Sequence, residues 1–195
     1  MDSLRGCAAD KARGMGRRPV LRLLVSGLVA MSVLPYGAIG ARAEQVGTVT
    51  GLPLPRYASL RSSQVNLREG PSKDHRATWI FQRAGLPVEI TAEFETWRKI
   101  RDSEGSEGWV LNSLLSGRRT ALVAPWKKGE NIPLYSKASD NASLAAQLQS
   151  GVIGNIKKCD GTWCRVFGQG AGGESYDGYI RQQNLWGVYP NEVVD

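Results

Sequence analysis

Histidine and cysteine are scarce in this chain, at one and three in 195 residues, and the shortage removes whole classes of chemistry. His75 stands alone in a polar loop, so neither a Ser-His-Asp nor a Cys-His arrangement can be assembled, and a metal site would run short of ligands. Asp102, Glu104 and Glu107 cluster in a single polar loop, which holds a catalytic acid and base poorly. Gly168, Gly170 and Gly173 fit G-x-G-x-x-G, yet a dinucleotide fingerprint needs a helix after it, and Tyr176 to Ile180 reads as strand. The chain therefore reads as non-catalytic, with no cofactor and no metal.

An excess of one charge is also lacking once the leader is separated. Residues 1–43 carry +5 of the whole-chain net charge of +7, from Arg5, Lys11, Arg13, Arg17, Arg18, Arg22 and Arg42 against Asp2 and Asp10. The remainder is near neutral, whereas a nucleic-acid partner requires a concentrated basic surface. Arg118-Arg119 and Lys127-Lys128 read as solvated charge at the middle of the chain. The leader itself has a basic front, an apolar run from Leu23 to Leu34, and Ala41-Arg42-Ala43, the small-x-small pattern at which a signal peptidase cuts. The run is shorter than the ~20 apolar residues of a membrane span. The expectation is a signal peptide over residues 1–43, cut before Glu44, no stable membrane span afterwards, and a periplasmic or secreted protein. Arg17-Arg18 partly fits a twin-arginine signal as well.

What is present is a duplication. Trp97-Arg98-Lys99-Ile100, followed by Gly108-Trp109-Val110, returns as Trp163-Cys164-Arg165-Val166 followed by Gly178-Tyr179-Ile180. Val65-Asn66-Leu67 matches Ile132-Pro133-Leu134 at an offset of 67, Gly85 and Trp97 match Gly151 and Trp163 at 66, and Leu115 and Gly117 match Leu185 and Gly187 at 70. Core positions are kept while loops change length, which describes two copies of one domain. Within the first copy, short β-branched and aromatic runs at Val65, Thr78, Leu86, Trp97 and Trp109 alternate with Gly, Pro and Ser turns, the pattern of a small β-barrel. Pro87 favours a strand start. Asn141 to Gln149 has Leu144 and Leu148 at helical spacing, but the repeat places it opposite the Trp79 strand, and the strand is the favoured reading.

Leu52-Pro53-Leu54-Pro55-Arg56, Val65-Asn66-Leu67-Arg68-Glu69-Gly70-Pro71, Glu107-Gly108-Trp109-Val110 and Leu114 to Thr120 resemble exported bacterial SH3-like (SH3b) domain proteins. The second copy is looser, with Ile132-Pro133-Leu134-Tyr135 in place of Val-Asn-Leu-Arg. The resemblance implies an all-β protein of two tandem SH3-like barrels, at residues 58–120 and 121–190. An extended lead-in at 44–57 would precede them, and a tail at 191–195 would follow. It further implies a non-catalytic, often cell-envelope, binding role, and the favoured reading is a binding module with peptidoglycan or its peptide stems as partner. The alternative is a periplasmic scaffold for an extended or proline-rich segment of another protein.

Once the leader is removed, Cys159 and Cys164 remain, an even count in an oxidising compartment, which favours a disulfide. Asp160 to Trp163 as a four-residue loop would set them directly opposite each other. The offset of 66 maps them onto Glu93 and Arg98, predicting an exposed cross-strand ion pair in the first copy. If Ile100 and Val166 point inward, with Val110 and Ile180 beside them, alternation sends Trp97, Lys99, Trp163 and Arg165 to the other face. These four are the candidate ligand-binding residues, each copy offering an aromatic beside a cation. Alternatively, both tryptophans cover a barrel edge or pack the copies together.

Overall fold

Strands form here where apolar and polar residues alternate. In Val65-Asn66-Leu67-Arg68 the valine and leucine are buried and Asn66 faces solvent, the period of two that a half-buried sheet requires. The computed structural model describes residues 45–195 apart from residue 171; the expected signal peptide and its cleavage before Glu44 lie outside the described residues. A short hairpin, β1 (Gln45–Val46) and β2 (Pro53–Leu54), comes first. The first barrel comprises β3 (Arg56–Leu60), β4 (Val65–Arg68), β5 (Ala77–Phe81), β6 (Pro87–Phe94), β7 (Trp97–Arg101), β8 (Glu107–Leu111) and β9 (Leu115–Ser116). The second comprises β10 (Thr120–Val123), β11 (Asn131–Tyr135), β12 (Leu144–Gln149), β13 (Ile153–Asp160), β14 (Trp163–Gln169), β15 (Ser175–Arg181) and β16 (Leu185–Trp186), and β17 (Val193–Val194) closes the chain.

The duplication holds to the level of register. The strand orders, β5-β4-β8-β7-β6-β3-β9 and β12-β11-β15-β14-β13-β10-β16, are the same in the two copies. Register shifts fall between Ile90 and Ala92 in one and between Ile156 and Lys158 in the other. Such bulges bend a sheet and let seven short strands curl around a core. Ile100, Val110, Val166 and Ile180 are all fully buried in the two cores. Gly108 and Gly178 occupy matching positions where a Cβ would come within 2.6 Å of Leu67 and 2.7 Å of the Tyr135 carbonyl oxygen, so a core leucine of the neighbouring strand needs the missing side chain.

The segment with helical spacing is the strand β12. Its Ala146 and Leu148 lie against Leu134 and Ile132 of β11. A spacing of four residues returns to the same face in a strand as well as in a helix, so Leu144 and Leu148 do not discriminate between the two; the partner strand does.

Both ends are more structured than the sequence leads one to expect. The lead-in is a hairpin whose Leu54 joins the first core, and the tail adds β17 to the edge of β13, pairing Val194 with Cys159. Apolar side chains at Leu54 and Val194 draw them in. Arg119, expected in solvent, is half-buried and donates to both carboxylate oxygens of Glu192.

The barrels meet along a seam built on β3 and β10. Thr120 Oγ1 donates to the Gly85 carbonyl at 2.7 Å and lies 2.6 Å from Ser59 Oγ. Tyr189 donates to Glu89 at 2.9 Å, and the Tyr57 ring packs on Trp186 and Tyr189. Burial first, and then the Glu89 charge, pushes both Tyr57 and Tyr189 hydroxyls up, so they stay protonated. Glu89 is itself paired to Arg101.

Candidate functional site

Each candidate side chain is placed by β7 or β14, whose alternation is set by Ile100 and Val166 in the cores. Trp97 and Trp163 belong to neither core cluster, yet only 6% and 7% of their surface is exposed. What covers them differs. Tyr135 meets Trp163 edge-on at 5.6 Å, and the Arg181 guanidinium stands 4.3 Å above its ring. Trp97 instead forms part of the wall of a groove of about 390 Å³, together with Gln64, Asn66, Arg68, Lys73, Leu111 and Leu114.

The cations paired with these tryptophans in the sequence reading are engaged elsewhere. Lys99 Nζ is 2.7 Å from Glu107; its hydrogen bond and charge hold the Glu107 carboxyl below the usual range. Arg165 donates through Nε and Nη2 to Asp177 at 2.7 and 2.9 Å. Glu107 and Asp177 are equivalent at the offset of 70, so both copies neutralise this cation in the same way. The structure thus brings Trp97 beside Arg68 and Lys73, and does not bring it into a groove with Lys99.

Arg68, Asn66 and Lys73 line this groove and are not among the candidates that the sequence singles out. Asn66 and Arg68 are the outward members of the alternating Val-Asn-Leu-Arg run, so the signal was present. Lys73 had none, since its place depends on the loop after β4. Arg68 sets that loop by donating to the carbonyls of Lys73 and His75 at 3.0 and 2.7 Å. No carboxylate lines the groove. Its polar inventory is therefore two amides and two cations beside an indole, which suits an extended peptide bearing carboxylates.

The remaining sequence candidates have structural uses. Cys159 and Cys164 pair in register and are bonded, but β13 runs on through Asp160 and β14 starts at Trp163, so the connection is the two residues Gly161-Thr162 and not the expected four-residue loop. A two-residue turn one position later than Asp160-Gly161 sets the cysteines opposite each other just as well. Asp160 shapes that turn by accepting from the Thr162 and Trp163 amides. The Glu93–Arg98 pair sits at the matching register but is buried, not exposed, because Glu93 is covered by the lead-in hairpin. It accepts from the Val49 and Thr50 amides, from Thr50 Oγ1 and from Arg56. Asp102 is bound to its own loop amides at Glu104 and Ser106. Gly168 lies in a strand and leaves room for Tyr176, whose hydroxyl would be 2.5 Å from a Cβ there. The G-x-G-x-x-G match is thus part of a hairpin. Among the described residues no group of three or more His, Cys, Asp or Glu could hold a metal, and no helix is long and apolar enough to cross a membrane.

A family model described as bacterial SH3 domain matches the chain twice, over residues 61–117 and 128–187. No curated protein gives a match. Among solved structures the chain is similar to NlpC2 from Trichomonas vaginalis at 16% identity, over 68% of this chain and 48% of that one, with a TM-score of 0.29. It is also similar to an NlpC/P60 family protein from Bacillus cereus at 13% identity, over 67% of this chain and 55% of that one, with the same TM-score of 0.29. The chain spans about half the length of these structures, and at such scores the likeness carries no argument about activity.

Proposed function

The chain belongs to the bacterial SH3 domain family, with two copies of the domain in tandem, and from that premise we propose that it is a non-catalytic binding module of the cell envelope that recognises peptidoglycan through its peptide stems. The observation that carries this reading is the first barrel's groove. Arg68 and Lys73 offer charge-assisted donors to carboxylates, Gln64 and Asn66 offer amides to a peptide backbone, and Trp97 with Leu111 and Leu114 supplies apolar wall, a division of labour common in small-ligand sites. Residues 1–43 serve as the signal peptide, and the working form begins at Glu44 in the periplasm or outside the cell.

Co-sedimentation with purified sacculi tests the function, using protein recovered from the periplasm with its N-terminal mass measured. Sedimentation of a form beginning at Glu44, weakened by rising salt, is the expected result. A form that stays in the supernatant at low salt would overturn the reading and leave the periplasmic scaffold, with an extended protein segment as its partner.

A further inference from the structure

The two barrels hold the same groove position and treat it in opposite ways. At the offset of 67, Arg68 corresponds to Tyr135 and Lys73 to Asp140; at the offset of 70, Leu111 corresponds to Arg181. Register agrees, since Trp97 pairs with Leu111 and Trp163 with Arg181. In the second copy the three changes act together. Arg181 rises over the Trp163 ring, Asp140 in the loop after β11 clamps its guanidinium with two hydrogen bonds, and Tyr135 closes the remaining edge of the indole. Both indoles are covered, at 6% and 7% exposed, so the difference lies beside them: the first copy keeps a groove walled by Arg68, Lys73, Leu111 and Leu114, and the second sets the Arg181–Asp140 pair at the equivalent place.

We propose that only the first barrel's groove takes the ligand, an extended peptide bearing a carboxylate, and that the second barrel is closed to it by its own Arg181, held between Trp163 and Asp140. This rests on the reading that the protein binds peptidoglycan stems. A peptide approaching Trp163 would have to displace a cation from an aromatic face and break a two-point ion pair, while meeting the carboxylate of Asp140 where the first copy presents Lys73. At the first groove it meets two cations and no acid. One chain therefore carries one site, and charge at position 73 against position 140 decides which barrel holds it.

The test is calorimetric titration of the whole mature protein with a soluble disaccharide-tetrapeptide released from sacculi. One molecule bound per chain is expected. Lys73→Asp should weaken binding by about tenfold, the loss of one charge-assisted contact, at an unchanged melting temperature because Lys73 is exposed. Asp140→Ala should leave the affinity of the first site unchanged. The triple change Tyr135→Arg, Asp140→Lys and Arg181→Leu, which restores the first copy's residues at these three positions, should raise the stoichiometry toward two. Two molecules bound by the unaltered protein would overturn the proposal, as would binding indifferent to Lys73→Asp. Binding of neither sacculi nor the soluble fragment would instead defeat the stem-binding reading itself, and sacculus binding indifferent to Lys73→Asp defeats the single-groove inference alone.

Discussion

A carboxylate removed from water stays ionised only where donors replace the solvent, and Glu93 meets that condition. Burial alone would push its carboxyl up, but hydrogen bonds from the Thr50 hydroxyl, from Arg56 and from the Thr50 and Val49 amides outweigh it and hold the group at about 2 against an ordinary 4.5. A carboxyl lowered on folding adds stability that is fully present above its unfolded value and is lost as pH falls through its folded one. The contribution from Glu93 should be whole above 4.5 and decline toward pH 2. Glu93→Gln should lower stability near neutral pH by about 2–3 kcal/mol, because Arg56 and Arg98 lose their shared partner. The variant should also lose the part of the acid sensitivity that lies between these values. Urea melts at pH 7 and pH 3 check this; a difference between the two proteins that is the same at both pH values contradicts it.

At the scale of the element, the hairpin β13–β14 and its counterpart β6–β7 solve one problem with different bonds. The first copy joins matching positions by the buried Glu93–Arg98 pair, the second by the Cys159–Cys164 bridge. Closing a six-residue loop contributes roughly 2 kcal/mol in the chain-entropy model. Because Val194 of β17 pairs with Cys159, the bridge also steadies the strand that the C-terminal residues add. Replacing both cysteines with alanine should raise amide exchange in β13, β14 and β17 and leave β6 and β7 unchanged. Equal loosening of both hairpins in hydrogen exchange is the outcome that refutes it.

For the whole molecule, the seam decides whether the barrels behave as one body or as two beads. Thr120 is 2% exposed and its hydroxyl serves Gly85 and Ser59, both of the first barrel, while Tyr189 reaches back to Glu89. Groups desolvated this way are costly to leave unpaired. The unaltered protein should melt in one transition seen alike in both barrels. Thr120→Val should cost about 1–3 kcal/mol and split the melt into two steps. Two steps in the unaltered protein would show that the seam does not couple the barrels.

Much of this was legible in the residues. Period-two alternation and the drifting offsets of 66, 67 and 70 dictate two copies, their strands and the inward turn of Ile100, Val110, Val166 and Ile180, because all of these follow from local geometry and spacing. The even cysteine count points to the Cys159–Cys164 bridge, whereas the turn that allows it, Gly161-Thr162, is shorter than the loop expected. The ambiguous Asn141 to Gln149 shows the boundary of that logic: a four-residue spacing serves either period, and only the partner strand chooses. The sequence could set Trp97 and Trp163 on the outer face but not say what lies over them, since that depends on residues distant along the chain. Arg68 and Lys73 come to Trp97 through a loop held by backbone carbonyls, and Arg181 and Asp140 come to Trp163 from opposite ends of the second copy. The buried state of Glu93, the docking of the lead-in and tail, and the seam through Thr120 and Tyr189 are likewise decisions of tertiary structure, where long-range packing determines which polar groups lose their water and which partners take its place.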